Sequence, residues 1–129
     1  MSGTAAQILD DLFSALDRRD ADAILALMSP HIVMVDEISR RWLRGKDAVA
    51  GQIKAVLSAA DSVQSRLSDL QIQPLEPQAV LVTAWLDQTY ILNGDEQTIT
   101  APLSACLQAD GDTWLVSSLH AIPLMEEKA

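Results

Sequence analysis

The sequence predicts one α+β domain in which three helices pack against a strongly curved antiparallel sheet. Three observations carry this expectation. Helix-period apolar repeats stop near residue 60. The rest is rich in β-branched segments separated by turn dipeptides. The chain has 129 residues, 49% of them hydrophobic, which is one domain's length and enough apolar material for a core without staples. Helices followed by a strand meander form two layers around one core.

The elements follow in order. Thr4 and Gln7 have the spacing of a capping box. Ala5, Ile8, Leu9, Leu12, Phe13 and Leu16 then recur every three or four residues, on one helical face. Arg18 and Arg19 are expected in the last turn, where the helix dipole favours cations. Asp20 is placed to cap a short second helix, Ala21 to Met28, which Pro30 ends. Ile32-Val33-Met34-Val35 is β-prone and too short for a helix, so a strand is expected to end near Asp36. A polar stretch with Trp42 and Gly45 leads to a third helix, Asp47 to Ala60, with Val49, Ile53, Val56 and Leu57 on one face and Gly51 weakening it.

Beyond Asp61 the period falls to two. Val63, Ser65 and Leu67 share one parity and Leu70 and Ile72 the other, so a bulge is expected between them. Pro74 and Pro77 form a turn, and Ala79 to Leu92 is a strand. Asn93-Gly94 suits a type I′ hairpin. Gln97 to Leu107 returns, with Pro102 marking an edge or bulge. Asp110-Gly111-Asp112 makes a second hairpin before a last strand, Thr113 to Ala121.

The formal charge of −9 argues against a nucleic-acid partner. Leu67 to Glu127 holds nine acids and no Lys or Arg, whereas Arg40, Arg41, Arg44 and Lys46 cluster. That cluster is either a solvated loop or a positive rim that steers an anionic substrate. Cys106 is the single cysteine and lies in an apolar strand, where it is expected to be inert. His31, His120 and Cys106 have no metal-ligand spacing, and no Gly-rich phosphate loop or Gly-x-Ser-x-Gly elbow is present. No metal or cofactor is therefore expected. Met1 to Phe13 has two acids and no base, unlike a signal peptide, and no apolar run nears the roughly 18 residues of a membrane span. The expectation is a cytoplasmic protein with no membrane partner.

Three segments carry a resemblance. Ala15-Leu16-Asp17-Arg18-Arg19-Asp20-Ala21-Asp22-Ala23-Ile24-Leu25-Ala26-Leu27-Met28 resembles the opening of SnoaL-like and ketosteroid isomerase-like proteins: hydrophobic helix, Asp, short helix, strand. Trp42-Leu43-Arg44-Gly45-Lys46-Asp47-Ala48-Val49 resembles their step through Gly into the third helix. Trp114-Leu115-Val116-Ser117-Ser118-Leu119-His120-Ala121-Ile122-Pro123 resembles one SnoaL-like ending. The resemblance spans about residues 5 to 123. It implies a cone-shaped, cystatin-like fold of the nuclear transport factor 2-like superfamily. It also implies an apolar pocket between helices and sheet, and a homodimer through the outer sheet face.

Ketosteroid isomerases pair a carboxylate base with an oxyanion hole of a tyrosine and a protonated acid. Asp36 matches the base. Phe13 stands at the tyrosine position, and Leu103 stands on or next to that of the acid. Neither can donate a hydrogen bond, and one lost oxyanion donor costs about 2.7–4 kcal/mol. Steroid isomerase chemistry of the usual design is therefore not expected.

Strand parity offers replacements. Ala84, Leu86, Gln88 and Tyr90 share one face, and Trp114, Val116, Ser118 and His120 another. If both line the cone, Asp36, Tyr90 and His120 converge as catalytic candidates, with Phe13, Met34, Trp42, Leu103 and Trp85 as pocket residues. Each has a plainer reading. His120 ties a strand end to a loop, Tyr90 turns its hydroxyl to water or a dimer interface, and Asp36 caps backbone amides. Trp42, Trp85 and Trp114 are packing residues on that view. Two functions stay open. One is a pocket for a small apolar or mildly anionic molecule, with Asp36 as base in a cofactor-independent isomerase, cyclase or hydratase. The other is a non-catalytic dimerisation or partner-docking domain.

Overall fold

The computed structural model describes residues 4–36 and 40–122. Pro123, Glu126 and Glu127 fall outside them. Three helices, α1 (Ala5–Asp17), α2 (Ala21–Ala26) and α3 (Lys46–Ala59), accompany six strands: β1 (Met28–Asp36), β2 (Arg41–Arg44), β3 (Ala60–Glu76), β4 (Ala79–Leu92), β5 (Asp95–Asp110) and β6 (Thr113–Ala121). The strand expected to end near Asp36 precedes α3, and a further short strand, β2, lies between them. No described helix is long and apolar enough to cross a membrane.

Side-chain caps set where two helices begin. Thr4 Oγ1 accepts from the Gln7 amide at 3.2 Å, and an Asp20 carboxylate oxygen accepts from the Ala23 amide at 3.1 Å. Helix α1 stops before both arginines. Arg19 takes a left-handed conformation, and its Nη1 donates to the carbonyls of Ala60 and Asp61 at 2.6 and 3.1 Å. It thus fastens the end of α1 to the start of β3. Helix α2 is shorter than expected because Met28 already opens β1, which runs through Pro30. Pro30 is tolerated because the β1–β6 ladder is irregular between Met28 and Val33.

The strands form one curved sheet in the order β2-β1-β6-β5-β4-β3. The expected all-antiparallel sheet is corrected: β1 and β6 pair in parallel, and every other neighbour is antiparallel. Parallel partners need a long crossover, and here the chain from β2 to β5 supplies it. The expected hairpin turn has positive φ at both Asn93 and Gly94 (53° and 83°), as type I′ requires. Pro102 marks a local edge. Its carbonyl accepts from the Ile122 amide at 3.1 Å, just past the end of β6, so its missing N–H faces a side where the sheet has run out.

Two cross-strand rows define the faces. Leu43, Met34, Leu119, Ala105, Val82 and Ile72 run across all six strands on the helix side. Arg44, Val33, Ser118, Cys106, Leu81 and Gln73 run beside them on the outer side. The core lies between the first face and the helices, where Ile8, Leu9, Leu12 and Phe13 of α1 meet Leu86, Leu103, Leu107 and Val116. The bulge expected in β3 is present. Ala84 of β4 faces both Asp69 and Leu70, because the register moves from Ser68↔Trp85 to Gln71↔Thr83.

Helix α3 buries Val49 and Leu57, but Val56, read from the sequence onto the same face, is 44% exposed. Leu107→Ala should therefore lower the unfolding free energy by about 2–5 kcal/mol in urea. Val56→Ala should stay within about 0.5 kcal/mol of the parent.

Candidate functional site

Asp36 is the last residue of β1. It shares the parity of fully buried Ile32 and of Met34, so its carboxylate lies on the helix side. Gln52 of α3 donates a long hydrogen bond to Asp36 Oδ1, 3.5 Å from its Nε2. The Arg40 amide donates to the Asp36 carbonyl at 2.8 Å, which closes the turn toward β2. Met34 packs half-buried against the core on the same side. Phe13 and Leu103 are 7% and 3% exposed and belong to the core itself. Asp36, Met34, Phe13 and Leu103 are thus all on the helix side of the sheet.

His120 is not. The β5–β6 register changes from Leu107↔Val116 to Cys106↔Ser118, so Ser117 is an extra residue. Its hydroxyl donates to the Cys106 carbonyl at 3.0 Å. Trp114 and Val116 therefore face the core, whereas Ser118 and His120 face outward. The expected shared face of Val116 and His120 is corrected by this single bulge. The His120 ring lies edge-on to Trp42, with centroids 6.1 Å apart and planes at 83°. The Arg44 guanidinium sits 5.6 Å from the centre of the Trp42 ring, a cation–π arrangement. Trp42 and Trp85, expected in the pocket, are 58% and 40% exposed on the outer side.

Tyr90 keeps the helix-side parity of Leu86 but sits far along β4, opposite Val63 and Gln97. Ala84, paired with Leu103 and so level with the end of β6, is six residues away, roughly 20 Å along the strand. The structure does not bring Asp36, Tyr90 and His120 together.

Near Tyr90 lies a polar network that sequence reasoning missed. Asp17 Oδ2 accepts from the Ser65 amide at 3.0 Å, and Gln88 Nε2 donates to Ser65 Oγ at 3.0 Å. Asp17 Oδ1 is buried with no hydrogen-bond partner. Nothing in residue spacing pairs positions 17 and 65. Gln52 was equally illegible, since its partner is set by tertiary packing of α3 on β1.

Among the described residues, a cavity of about 370 Å³ lies on the outer face beside His120 and Trp85. Another, of about 400 Å³, lies at the entry to α3 between Pro30, Arg44, Lys46 and Asp47. There Gly45 takes φ 88°, which only glycine adopts readily, and its amide donates to the Ile32 carbonyl at 2.8 Å. Of the basic cluster of the sequence, Arg41 and Arg44 lie in β2 and Lys46 opens α3; Arg41 is the cross-strand partner of Asp36, and Arg44 and Lys46 line this second cavity. No group of three or more metal-ligating side chains is assembled among the described residues.

The model of the SnoaL-like domain family matches residues 5–125. No curated protein sequence matches the chain. Solved structures give the same fold. A candidate dehydratase of the nuclear transport factor 2-like family from Streptomyces avermitilis aligns with a TM-score of 0.83 at 16% identity over 94% of each chain. A candidate scytalone dehydratase from Novosphingobium aromaticivorans aligns at 0.85 and 11% identity, over 93% of this chain and 81% of the other. A candidate calcium/calmodulin-dependent protein kinase type II association domain from Thiobacillus denitrificans aligns at 0.72 and 22% identity, over 97% and 98%.

Double-mutant cycles check the placement of His120. His120→Ala with Trp42→Leu should show a coupling of about 0.5 kcal/mol, the lower range for ring pairs, because Trp42 is well exposed. His120→Ala with Tyr90→Phe should be additive within about 0.3–0.5 kcal/mol.

Proposed function

The chain belongs to the SnoaL-like domain family, and on that premise we propose that it binds a small apolar or mildly anionic molecule and moves a proton next to its carbonyl without a cofactor, with Asp36 as the base. The observation that carries this reading is the position of Asp36, at the end of β1, on the helix side and within reach of Gln52. A carboxylate held within reach of a bound carbonyl compound can take a proton from the carbon next to the carbonyl. The Gln52 amide steadies the oxygen that does not take the proton. Arg41, the cross-strand partner of Asp36, supplies positive potential beside it and steers an anionic substrate toward it.

The apolar side chains at Phe13 and Leu103 favour elimination over a long-lived enolate. Asp36 takes a proton from the carbon beside the carbonyl, the C–O bond at the next carbon breaks, and the same proton passes to the departing hydroxyl to give water. No free enolate then has to be held. The structural neighbours described as candidate dehydratases agree with this choice. A location in the cytoplasm completes the proposal.

A second reading is favoured by a different observation, the exposed Trp42 and Trp85 on the outer face. On it the chain is a non-catalytic association domain that forms a homodimer through that face, like the neighbour described as a candidate association domain. Sedimentation equilibrium at micromolar concentration should then give twice 14.0 kDa, and Trp85→Lys should return it to monomer. A parent that sediments as a monomer contradicts this reading.

For the first reading, β-hydroxy ketones should lose water, and deuterium placed beforehand on the carbon beside the carbonyl should slow that loss. Asp36→Asn should slow it by about 100- to 10,000-fold, the range of general-base contributions. Gln52→Ala should slow it less. An unchanged rate in Asp36→Asn contradicts the assignment.

A further inference from the structure

The outer face carries a groove that the reading of Asp36 leaves unused, and its construction is specific. Gln71, Thr83, Ser104 and His120 are successive cross-strand neighbours on β3, β4, β5 and β6, and they form a polar floor. Trp85 and its cross-strand partner Pro102 form an apolar wall. The β3 bulge adds a charge. Opposite Ala84, a regular strand would place one residue, facing the core. The bulge places two there: Leu70 packs against the core, and Asp69, at φ 49°, joins the outer groove. Asp is among the few residues that accept this conformation.

Among the described residues, Asp69 is the only carboxylate lining the groove, and no Lys or Arg lines it. Gln71 Nε2 reaches Asp69 Oδ1 at 3.4 Å, leaving the other carboxylate oxygen for an incoming donor. Among the described residues, the side chains of Thr83, Ser104 and His120 make no hydrogen bond to protein. A volume of about 370 Å³ lies within the range of small-molecule sites.

We propose that this groove is a second small-molecule site, on the face opposite Asp36, that takes aromatic monocations: the ring lies along Trp85 and Pro102, and the ammonium meets Asp69. The aromatic wall offers a flat apolar surface and a π face to the cation. The single unneutralised carboxylate selects positive charge, and the polar floor receives ring N–H or hydroxyl groups. This site is independent of the proton-transfer reading. It competes with the association reading, which would cover the same face.

The test uses the full chain, ¹⁵N-labelled, titrated with tryptamine, tryptophol and indole-3-acetate at one ionic strength. Tryptamine should move the amide resonances of Gln71, Thr83, Trp85, Ser104 and His120 and bind at least tenfold more tightly than neutral tryptophol. Indole-3-acetate should bind more weakly still. Asp69→Asn, which keeps a side chain suited to the bulge, should remove the tenfold advantage of tryptamine and leave tryptophol unchanged. Ser104→Leu should abolish all three, and Asp36→Asn should change none. Three results overturn the proposal: equal affinity for the three compounds, an Asp69→Asn variant that binds tryptamine as the parent does, and no response at the groove because a second copy covers it.

Discussion

Side chains alternate between the two faces of a strand, so one extra residue moves everything beyond it to the other face. Two such residues organise this sheet. In β3 the bulge at Asp69 and Leu70 sends a leucine to the core and a carboxylate outward. In β6 the extra Ser117 keeps Trp114 and Val116 in the core and turns Ser118 and His120 away from it. Without the second bulge, His120 would point toward the helices and share a compartment with Asp36. With it, the sheet separates an acidic helix-side position from an outer surface built of His120, Trp42 and Trp85.

The same rule explains what was legible in the sequence. The β3 bulge could be read because apolar residues on both sides of it, Val63 and Leu67 and then Leu70 and Ile72, change parity. The β6 bulge could not, because it falls within Ser117-Ser118 and both parities before it hold apolar residues, so Leu115 and Val116 give no contrast. Strand β4 was read to the residue, since β-branched residues and Asn93-Gly94 bound it. Strand β2 was missed. Three of its four residues are exposed and two are arginines, so it carries no alternation, and only its ladder with β1 makes it a strand. Its pairing also sets where Trp42 points, which is why a tryptophan expected in the pocket lies outside.

Electrostatics follows the topology. The nine acids between Leu67 and Glu127 belong mainly to β3–β6 and their turns, while the basic cluster falls on β2 and the start of α3. The two ends of one sheet therefore differ in sign. Asp36 sits next to the basic end, and the outer groove beside Asp69 sits in the acid-rich part. An apolar interior was legible from composition and period. The polar pairs inside it, Asp36 with Gln52 and Asp17 with Ser65, were not, because each joins residues that only tertiary packing brings together.

The face that His120 occupies decides how the sheet divides its polar groups, and nuclear Overhauser contacts of the His120 ring protons report it. Contacts to the Trp42 indole and the Ser104 β-protons are expected. Contacts from the His120 ring to Phe13 or Leu12 would place it on the helix side and contradict the separation of His120 from Asp36.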